Sequence, residues 1–258
     1  IIVNYGIGNT PKDCIKNGVI QDKERVIAEI RKVIDEQNIA AKEAKIVMSG
    51  TNIITRVIMV DKVEDSQLDK KIWNEITTYM PINMEEHKVD YKILGNVKQG
   101  DEEKVKVFIT AVQKKIINSY VDILQNLNLK PLSVDIPSNS VSKFFQLNLV
   151  QTEQENWSRK QRFARLSSDT IAVLDFGSET TIVNILKNRT PEFNRVILAG
   201  GSKVDDVIFN KVIMDKQQAD RAERYKKMYG ITKYSDAGTL ENQCSEAAKT
   251  VVNDVLKN

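Results

Sequence analysis

The sequence contains few of the residues that build metal centres and histidine-based catalytic sites. Its 258 residues include one histidine, His87, and two cysteines, Cys14 and Cys244. A single histidine excludes histidine-rich metal centres and most catalytic triads that use a histidine base. The two cysteines lie at opposite ends of the chain and lack the close spacing of zinc ligands. The glycine-rich dinucleotide fingerprint and the Walker lysine motif are also absent, so any nucleotide site must be of another kind.

Charge and hydropathy exclude two further classes of protein. The 38 basic and 35 acidic residues nearly balance at a net charge of +3, whereas nucleic-acid-binding proteins need a clustered basic excess. No apolar run approaches the roughly 18 residues that a membrane-spanning helix needs, and no secretory signal is present. We therefore expect a cytoplasmic protein without a nucleic-acid partner. Because the chain begins with Ile1, we also expect a fragment of a longer protein.

Alternating and helical apolar patterns predict a small α+β module over residues 52–135. Its elements follow the order β-α-β-β-α-β. Its first helix is predicted to begin at a capping box of Ser66 and Asp69 and to stop at Pro81, and its hairpin is predicted to turn at Gly100. The predicted strands are 53–60, 89–93, 105–111 and 132–136, and the helical stripes cover 68–79 and 116–127.

The segments on either side of the module have patterns of their own. Before it we expect a strand at Ile1–Tyr5, a helix over 23–37 capped by Asp22, and a strand at 46–48. After it we expect an apolar helix over 138–150, then a helix end and surface linker over 151–169. The predicted strands of the remaining chain are 171–176, 181–187 and 193–199, and its predicted helices are 202–213, capped by Ser202, 216–229 and 241–257.

The most informative stretch is the turn between the first two of these later strands. An apolar strand runs into Asp175-Phe176-Gly177-Ser178-Glu179-Thr180, and a second apolar strand leaves it. Gly177 is expected to turn the backbone with positive φ, so that exposed amides and the Thr180 hydroxyl can hold phosphate oxygens. Asp175, at the strand end, is placed to hold a metal-bound water. A tight turn that needs glycine explains the same residues without a ligand.

Two later motifs favour a nucleotide. Gly200-Gly201 ends a strand before a helix, and helix N-termini bind anions well; paired glycines are also common in plain turns. Glu223 and Lys226 lie three positions apart on a predicted helix and share a face. They fit contacts to a ribose and a base, but an ion pair within the helix explains them equally.

Taken in order, these motifs resemble the actin-like ATPase superfamily. Asp175 to Thr180 lies where that superfamily has its second phosphate hairpin, Gly200-Gly201 is similar to its strand-to-helix turn, and Glu223 to Lys226 is similar to its nucleoside-binding Glu-x-x-Lys. The resemblance implies an α/β, actin-like (RNase H-like) fold, with a first domain at 1–51 and 136–169 and a second at 170–258. It implies ATP with Mg²⁺ bound by Asp175, Gly177, Ser178, Thr180, Gly200, Gly201, Glu223 and Lys226, where Asp175 holds Mg²⁺ through water.

The order of several shorter motifs narrows the resemblance to the PilM family of type IV pilus assembly proteins, which is FtsA-like. These motifs are Asn17-Gly18-Val19-Ile20, Met48-Ser49-Gly50, Tyr79-Met80-Pro81-Ile82 and Leu129-Lys130-Pro131. The family begins with an Asp-x-Gly-Ser hairpin and ends with a Gly-Gly loop, so we expect this chain to be truncated at both ends. Ser178 and Glu179 stand where chaperone-like members of the superfamily have two glycines.

The resemblance also implies a role. PilM-like proteins are cytoplasmic scaffolds that bind the N-terminal tail of PilN, an inner-membrane protein, and link it to the pilus motor ATPases. We therefore expect peripheral association with the membrane through a partner, a groove between the first domain and the module, and little or no ATP hydrolysis. Catalytic residues are not predicted. A catalytic ATPase or small-molecule kinase, and an FtsA-like filament protein with a membrane helix at 241–257, are the alternatives.

Overall fold

The computed structural model describes residues 2–151, 170–214, 221–231 and 239–257. The predicted linker from residue 152 onward and the start of the predicted helix 216–229 lie outside these ranges. The chain divides into two compact units, of which the first contains 1–171 and 185–194 and the second contains 172–184 and 195–258. The strand expected at Ile1–Tyr5 is wrong for its described part, because residues 2–5 have no regular structure. Asn4 instead donates hydrogen bonds to the carbonyl oxygens that end the first helix.

The first unit combines a parallel strand pair with an antiparallel sheet. Asp22 caps helix α1 as predicted, by accepting a hydrogen bond of 3.1 Å from the Arg25 amide. The elements are β1 (Ile15–Lys16), β2 (Val19–Ile20), α1 (Lys23–Glu36), β3 (Glu43–Val47), β4 (Ile53–Asp61), α2 (Asp65–Tyr79), β5 (His87–Gln99), β6 (Glu102–Gln113), α3 (Lys114–Asn126), β7 (Lys130–Asp135) and α4 (Pro137–Gln151).

The module forms the antiparallel sheet, in the order β4-β6-β5. Buried apolar residues of β4 and β6 pack against Ile72 and Ile76 of α2. The turn at Gly100 is confirmed, with a φ of +64° that favours glycine. The capping box is wrong, because α2 begins at Asp65 after Glu64 and no side chain caps it.

The predicted closing strand of the module lies in a different sheet. β7 pairs in parallel with β3, from Glu43 opposite Lys130 to Val47 opposite Asp135. The described module sheet therefore has β4 and β5 as its two edges. The apolar pattern of a short strand predicts that it pairs with a neighbouring strand, but it does not predict which one. The sequence therefore left this pairing open.

The remaining chain begins with a sheet of order β10-β9-β8. Strands β8 (Thr170–Phe176), β9 (Thr181–Lys187) and β10 (Thr190–Ile197) are followed by α5 (Gly201–Ile208), a π-helical turn (Phe209–Ile213), α6 (Arg221–Tyr229) and α7 (Leu240–Lys257). The sequence predicts one apolar stripe on α7 from Cys244 to Leu256, and most of it is buried. Cys244, Ala247, Ala248 and Val251 pack in one cluster with Val204 and Ile208 of α5, whereas Leu256 is 65% exposed. This face of α7 is therefore covered by protein, which disfavours the membrane-helix alternative.

Candidate functional site

The turn between β8 and β9 closes on itself. The Gly177 amide donates a hydrogen bond of 2.9 Å to the Thr180 carbonyl oxygen. The positive φ expected for Gly177 is wrong, because this glycine is not among the positive-φ residues. Close approach explains it instead: a Cβ at position 177 would lie 3.0 Å from the Thr180 carbonyl oxygen. The turn therefore requires a small residue for lack of space.

Gly200 is the point where the second loop touches this hairpin. A Cβ at position 200 would lie 2.5 Å from the carbonyl oxygens of both Gly177 and Ser178. Real Cβ atoms do not approach backbone oxygens so closely. The structure thus brings the backbones of Gly177, Ser178 and Gly200 into direct contact. A side chain at position 200 would prevent this contact.

The first amides of α5 are used by the hairpin. The Gly201 amide donates to the Gly177 carbonyl oxygen at 2.9 Å, and the Ser202 amide donates to the Ser178 carbonyl oxygen at 2.8 Å. The Ser202 hydroxyl also donates to the Ser178 oxygen, so Ser202 does not cap α5, whose N-cap is Gly200. In this arrangement the amides of Gly201 and Ser202 bind the protein's own carbonyl groups and cannot also bind a phosphate.

The buried hydroxyl of this region belongs to Thr181, which sequence reasoning missed. Its Oγ1 donates to the Ala199 carbonyl oxygen at 2.7 Å, and the residue is fully buried. Thr180, the predicted phosphate ligand, is half-buried one position earlier. Adjacent strand residues point to opposite sides. The Thr181 hydroxyl therefore holds the two loops together, whereas the Thr180 hydroxyl remains available to a ligand.

Lys226 lies over the glycine turn. Its Nζ donates to the Gly201 carbonyl oxygen at 3.0 Å and to Asp205 Oδ2 at 2.7 Å. Burial raises the pKa of Asp205 above its usual range, although the hydrogen bond from Lys226 opposes the shift. The Oδ1 atom of Asp205 is buried without a hydrogen-bond partner in the described part of the chain. Asp205 is thus a member of this site that no motif had singled out.

Glu223 faces a different partner from Lys226. Its Oε1 atom lies 2.7 Å from Lys227 Nζ, and the Glu223 side chain is 60% exposed. The hydrogen bond from Lys227 lowers the pKa of Glu223. The ion pair considered between Glu223 and Lys226 is therefore wrong: the helix pairs Glu223 with Lys227 one turn later, and the longer-range contact with Asp205 holds Lys226.

Asp175 stands at the exposed end of β8. It has no hydrogen bond or ion pair to any residue that the structure describes, so its carboxylate is available to a ligand. The described residues contain no group of three or more histidine, cysteine, aspartate and glutamate side chains that could hold a metal ion directly. A cation beside Asp175 would thus be held mainly by water and by its own ligand's oxygens, as Mg²⁺ often is in phosphate sites.

A separate groove lies in the first unit, between the module and the β3-β7 pair. We call it the tail groove, and it has a volume of about 320 Å³. Its lining includes Met48, Lys88, Lys92, Thr110, Val134 and Asn139. The walls are Met48 after β3, the end of β7 and the start of α4 on one side, and one face of strands β5 and β6 on the other.

The tail groove combines an apolar floor with a charged rim. Val112, Ile117 and Val134 line it, while Lys88 and Lys92 are exposed on β5. Asp135 also lines it; burial would raise the pKa of this carboxyl, but hydrogen bonds from Lys143 and Asn139 outweigh burial and lower it. Asp135 is already paired with Lys143 at 2.7 Å, so the charges that the groove offers are the two lysines and the exposed carboxylate of Asp90 between them.

Comparison with known protein families identifies the family to which this chain belongs. The family model described as type IV pilus assembly protein PilM matches residues 2–254. The chain belongs to the PilM family. A chain of a PilM–PilN type IV pilus biogenesis complex shares the fold, with a TM-score of 0.72 and 20% identity, over 96% of this chain and 65% of that one. This chain therefore spans about two thirds of the length of that relative.

Two more distant solved structures show weaker similarity. MreB5 of Spiroplasma citri bound to ADP matches at 12% identity with a TM-score of 0.44, over 95% of this chain and 60% of that one. The same protein bound to AMPPNP matches at 14% identity with a TM-score of 0.38, over 57% of this chain and 47% of that one. Similarities this low carry no argument of their own. The described strands and helices, together with membership of the PilM family, confirm the predicted α/β, actin-like fold class.

One further finding concerns membranes. Among the residues that the structure describes, no helix is both long enough and apolar enough to cross a bilayer.

Proposed function

We propose that this chain is a scaffold of the type IV pilus assembly complex that binds the cytoplasmic N-terminal tail of a PilN-like inner-membrane protein. The observation that carries the proposal is the tail groove, which lies where the family resemblance implies a peptide site. Membership of the PilM family and the likeness to a chain of a PilM–PilN complex support the choice of partner. The chain reaches the inner face of the membrane through this partner, and contact with pilus motor ATPases remains a prediction.

The groove suits an extended peptide. Strand β5 is 13 residues long, and the sheet order leaves its outer side without a strand partner among the described residues. A peptide that crosses this edge can add backbone hydrogen bonds to β5, while the groove over the adjoining face of the sheet selects its side chains. The apolar floor would receive the peptide's apolar residues. Lys88 and Lys92 would favour acidic groups in the tail. They would also favour acidic groups in the segment that continues from the tail toward an anionic membrane surface.

The hairpin site supports a structural use of nucleotide. We propose that the Ser178–Thr180 loop receives phosphate oxygens and that Asp175 holds Mg²⁺ through water. Gly177, Gly200 and Gly201 shape the turn, and Lys226 and Glu223 stand nearest the nucleoside. When bound, ATP would supply charge that draws the hairpin and α6 together. Because Asp175 is predicted to hold the metal and no catalytic residue is predicted beside it, binding without rapid hydrolysis fits the residues better than turnover.

A groove-filling substitution tests the partner. Thr110→Trp places a large ring into the tail groove from a half-buried position. Calorimetric titration with a synthetic peptide of the PilN-like tail should show saturable binding to the parent chain and none to this variant. Thr55→Trp is the matched control, because Thr55 lies opposite Thr110 on β4 and outside the tail groove. Circular dichroism melting checks that both variants fold.

The result also separates the alternatives. Absence of peptide binding at millimolar concentration would contradict the scaffold proposal. If the same protein then phosphorylated a sugar or acid rapidly with ATP, the kinase reading would replace it. Nucleotide binding is tested independently by titrating ATP into an Asp175→Asn variant, which should bind Mg²⁺-ATP more weakly while its affinity for the tail peptide stays unchanged.

A further inference from the structure

Asp205 belongs to the hairpin site, but none of the proposed nucleotide contacts uses it. It lies four residues after Gly201 on α5, so both residues lie on the same face of that helix. Lys226 reaches this face from the neighbouring helix α6. All three residues belong to the second unit. The contacts among them indicate what a carboxylate does at position 205.

Two acceptors hold the Lys226 ammonium group. Its Nζ donates to Asp205 Oδ2 at 2.7 Å and to the Gly201 carbonyl oxygen at 3.0 Å. An ammonium group has three donors, so these two bonds leave one N–H group. The Lys226 side chain is 25% exposed, so part of it faces the solvent. Two bonds to the first turn of one helix fix the direction of a side chain that is otherwise flexible.

The nearby carboxylates divide between two lysines of α6. Glu223 pairs with Lys227 at 2.7 Å, whereas Asp205 pairs with Lys226 at 2.7 Å. Asp206, the next residue along α5, is exposed. Among the residues that the structure describes, Asp205 is therefore the carboxylate that determines where the Lys226 ammonium lies.

The pair also neutralises the ammonium. A lysine without a carboxylate partner acts on phosphate as a point charge, whereas an ammonium paired with a carboxylate has little net charge. The Asp205 carboxylate would itself repel a phosphate at this position. The remaining N–H group of Lys226 therefore suits a neutral acceptor, such as a ribose hydroxyl or a ring nitrogen of a base.

The buried side of Asp205 is evidence against a purely stabilising pair. Its Oδ1 atom is buried and has no hydrogen-bond partner in the described part of the chain, and leaving such an atom unpaired costs free energy. Apolar residues can often replace a buried ion pair without loss of stability. The unpaired oxygen is explained if the carboxylate has a second purpose, which is to place Lys226.

We propose that Asp205 is a positioning residue of the nucleotide site, which holds the Lys226 ammonium against Gly201 and leaves its remaining N–H group for a neutral acceptor of the nucleoside. Lys226 contacts the nucleoside in the proposed function, on which this inference rests. Asp205 thereby favours a nucleoside triphosphate over a chain of phosphates alone. The phosphates are received by the Ser178–Thr180 loop and do not depend on Asp205.

Calorimetric titrations with Mg²⁺-ATP and with Mg²⁺-tripolyphosphate test this role. They are run at about pH 8, well above the usual pKa of a carboxyl group. Asp205→Leu removes the acceptor but keeps a side chain of similar size. We expect it to weaken ATP binding about tenfold, as the loss of one hydrogen bond does, and to leave tripolyphosphate binding unchanged.

Two further variants control for charge and for folding. Asp205→Asn keeps an oxygen that can accept from Lys226, so it should retain most of the ATP affinity. Asp206→Asn removes the neighbouring exposed carboxylate and should change neither affinity. Circular dichroism melting checks that each variant folds, and Asp205→Ala takes the place of Asp205→Leu if the latter does not fold.

A measurement without nucleotide tests the positioning itself. Because two acceptors hold the Lys226 ammonium, its protons should exchange slowly with water and give a proton–nitrogen NMR signal, which is assigned by its loss in Lys226→Met. Asp205→Leu should remove this signal, and Asp206→Asn should leave it unchanged.

Three outcomes would overturn the proposal while leaving the nucleotide site in place. The first is that Asp205→Leu binds ATP as tightly as the parent chain does. The second is an equal loss for ATP and tripolyphosphate, which would mean that Asp205 supports only the shape of the turn. The third is an ammonium signal that Asp205→Leu does not change. Absence of ATP binding by the parent chain would instead overturn the proposed nucleotide site together with this role, so the two failures are distinguishable.

Discussion

The loops around Gly200 and the edges of the module sheet use their backbone groups in opposite ways. At Gly200, hairpin carbonyl groups and helix amides satisfy one another, through hydrogen bonds of 2.8 and 2.9 Å. Along β4 and β5, the outer backbone groups have no strand partner in the described residues, and residues of each strand line a groove. The first region is closed by its own chain, and the second is open to another.

This difference separates what each region can recognise. A closed backbone contact leaves only side chains and the loop tip for a ligand, which suits a small, highly charged molecule held by few groups. An open edge offers a row of donors and acceptors, which suits a polypeptide. Nucleotide binding should therefore be sensitive to the shape of the hairpin, and partner binding should be sensitive to what fills the grooves.

The largest effect is expected at the closed contact. Gly200→Ala places a methyl group against two carbonyl oxygens, so the loops must separate, and we expect a loss of about 3 kcal/mol in the free energy of unfolding. Gly201→Ala is the control, because its Cβ would lie 3.2 Å from the Lys226 Nζ, at the end of a long side chain, and at an ordinary contact distance of 3.7 Å from the Gly177 carbonyl oxygen. Urea unfolding of both variants measures the difference. Equal losses would mean that the backbone contact at Gly200 is not the limiting one.

The next effect is expected where β10 docks on the module. Lys106 is only 7% exposed and pairs with Glu192. Glu192→Ala leaves a buried ammonium without a partner, and we expect a loss of about 2 kcal/mol. Lys106→Met should cost less, since it removes the buried charge and keeps an apolar stem of similar size. Chemical unfolding that ranks Lys106→Met as the worse of the two would refute this account.

A smaller, pH-dependent effect is expected at Lys226. Lys226→Met leaves Asp205 partly buried and unpaired, which we expect to destabilise the chain by about 1–2 kcal/mol at pH 7. The folded-state pKa of Asp205 is raised, so its contribution to stability is complete below its unfolded pKa of about 4 and is lost as the pH rises through the folded pKa. Losing Lys226 raises that pKa further.

The deficit of the Lys226→Met variant should therefore shrink as the pH falls from 7 toward about 4. Unfolding curves at several pH values measure the difference between the variant and the parent chain. Adding Asp205→Asn to Lys226→Met removes the titrating group and serves as the control. A deficit that stays constant with pH would show that Lys226 stabilises the turn through Gly201 alone.

The smallest effect on stability is expected at Glu223. Its ion pair with Lys227 is exposed and screened by solvent, so Glu223→Gln should leave the melting temperature unchanged. If Glu223 contacts the nucleoside as proposed, the same variant should bind ATP more weakly in calorimetry. Lys227→Gln removes the same ion pair and is the matched control. Equal ATP affinity of the two variants would remove Glu223 from the site.

The sequence predicted what depends on near neighbours. The N-cap at Asp22, the Gly100 turn and the apolar stripe of α7 are confirmed, because each is encoded within a few residues. The partner of β7 could not be predicted, since any parallel neighbour satisfies an apolar strand. The strand expected before Gly6 fails for a related reason: its apolar residues Ile2 and Val3 remain exposed in the described structure.

The candidate site shows the same division. The sequence placed Gly177 and Gly200 in one site, and the structure brings them into contact. It could not show that the α5 amides are already bound to carbonyl groups, or that Lys226 reaches Asp205 rather than Glu223. Both contacts join segments that are separated by more than 20 residues. Local sequence patterns do not predict such contacts.

The pairing of β3 with β7 has a kinetic consequence. Glu43 and Lys130 are opposite one another although 87 positions separate them. Bringing such distant segments together from an unfolded chain costs loop-closure entropy before the paired strands stabilise one another. Contacts of this kind therefore slow folding. The module lies between the two strands and builds its hairpin from adjacent segments. Once the module has formed, the loop left to close is short, so we expect the module to form before β3 and β7 pair.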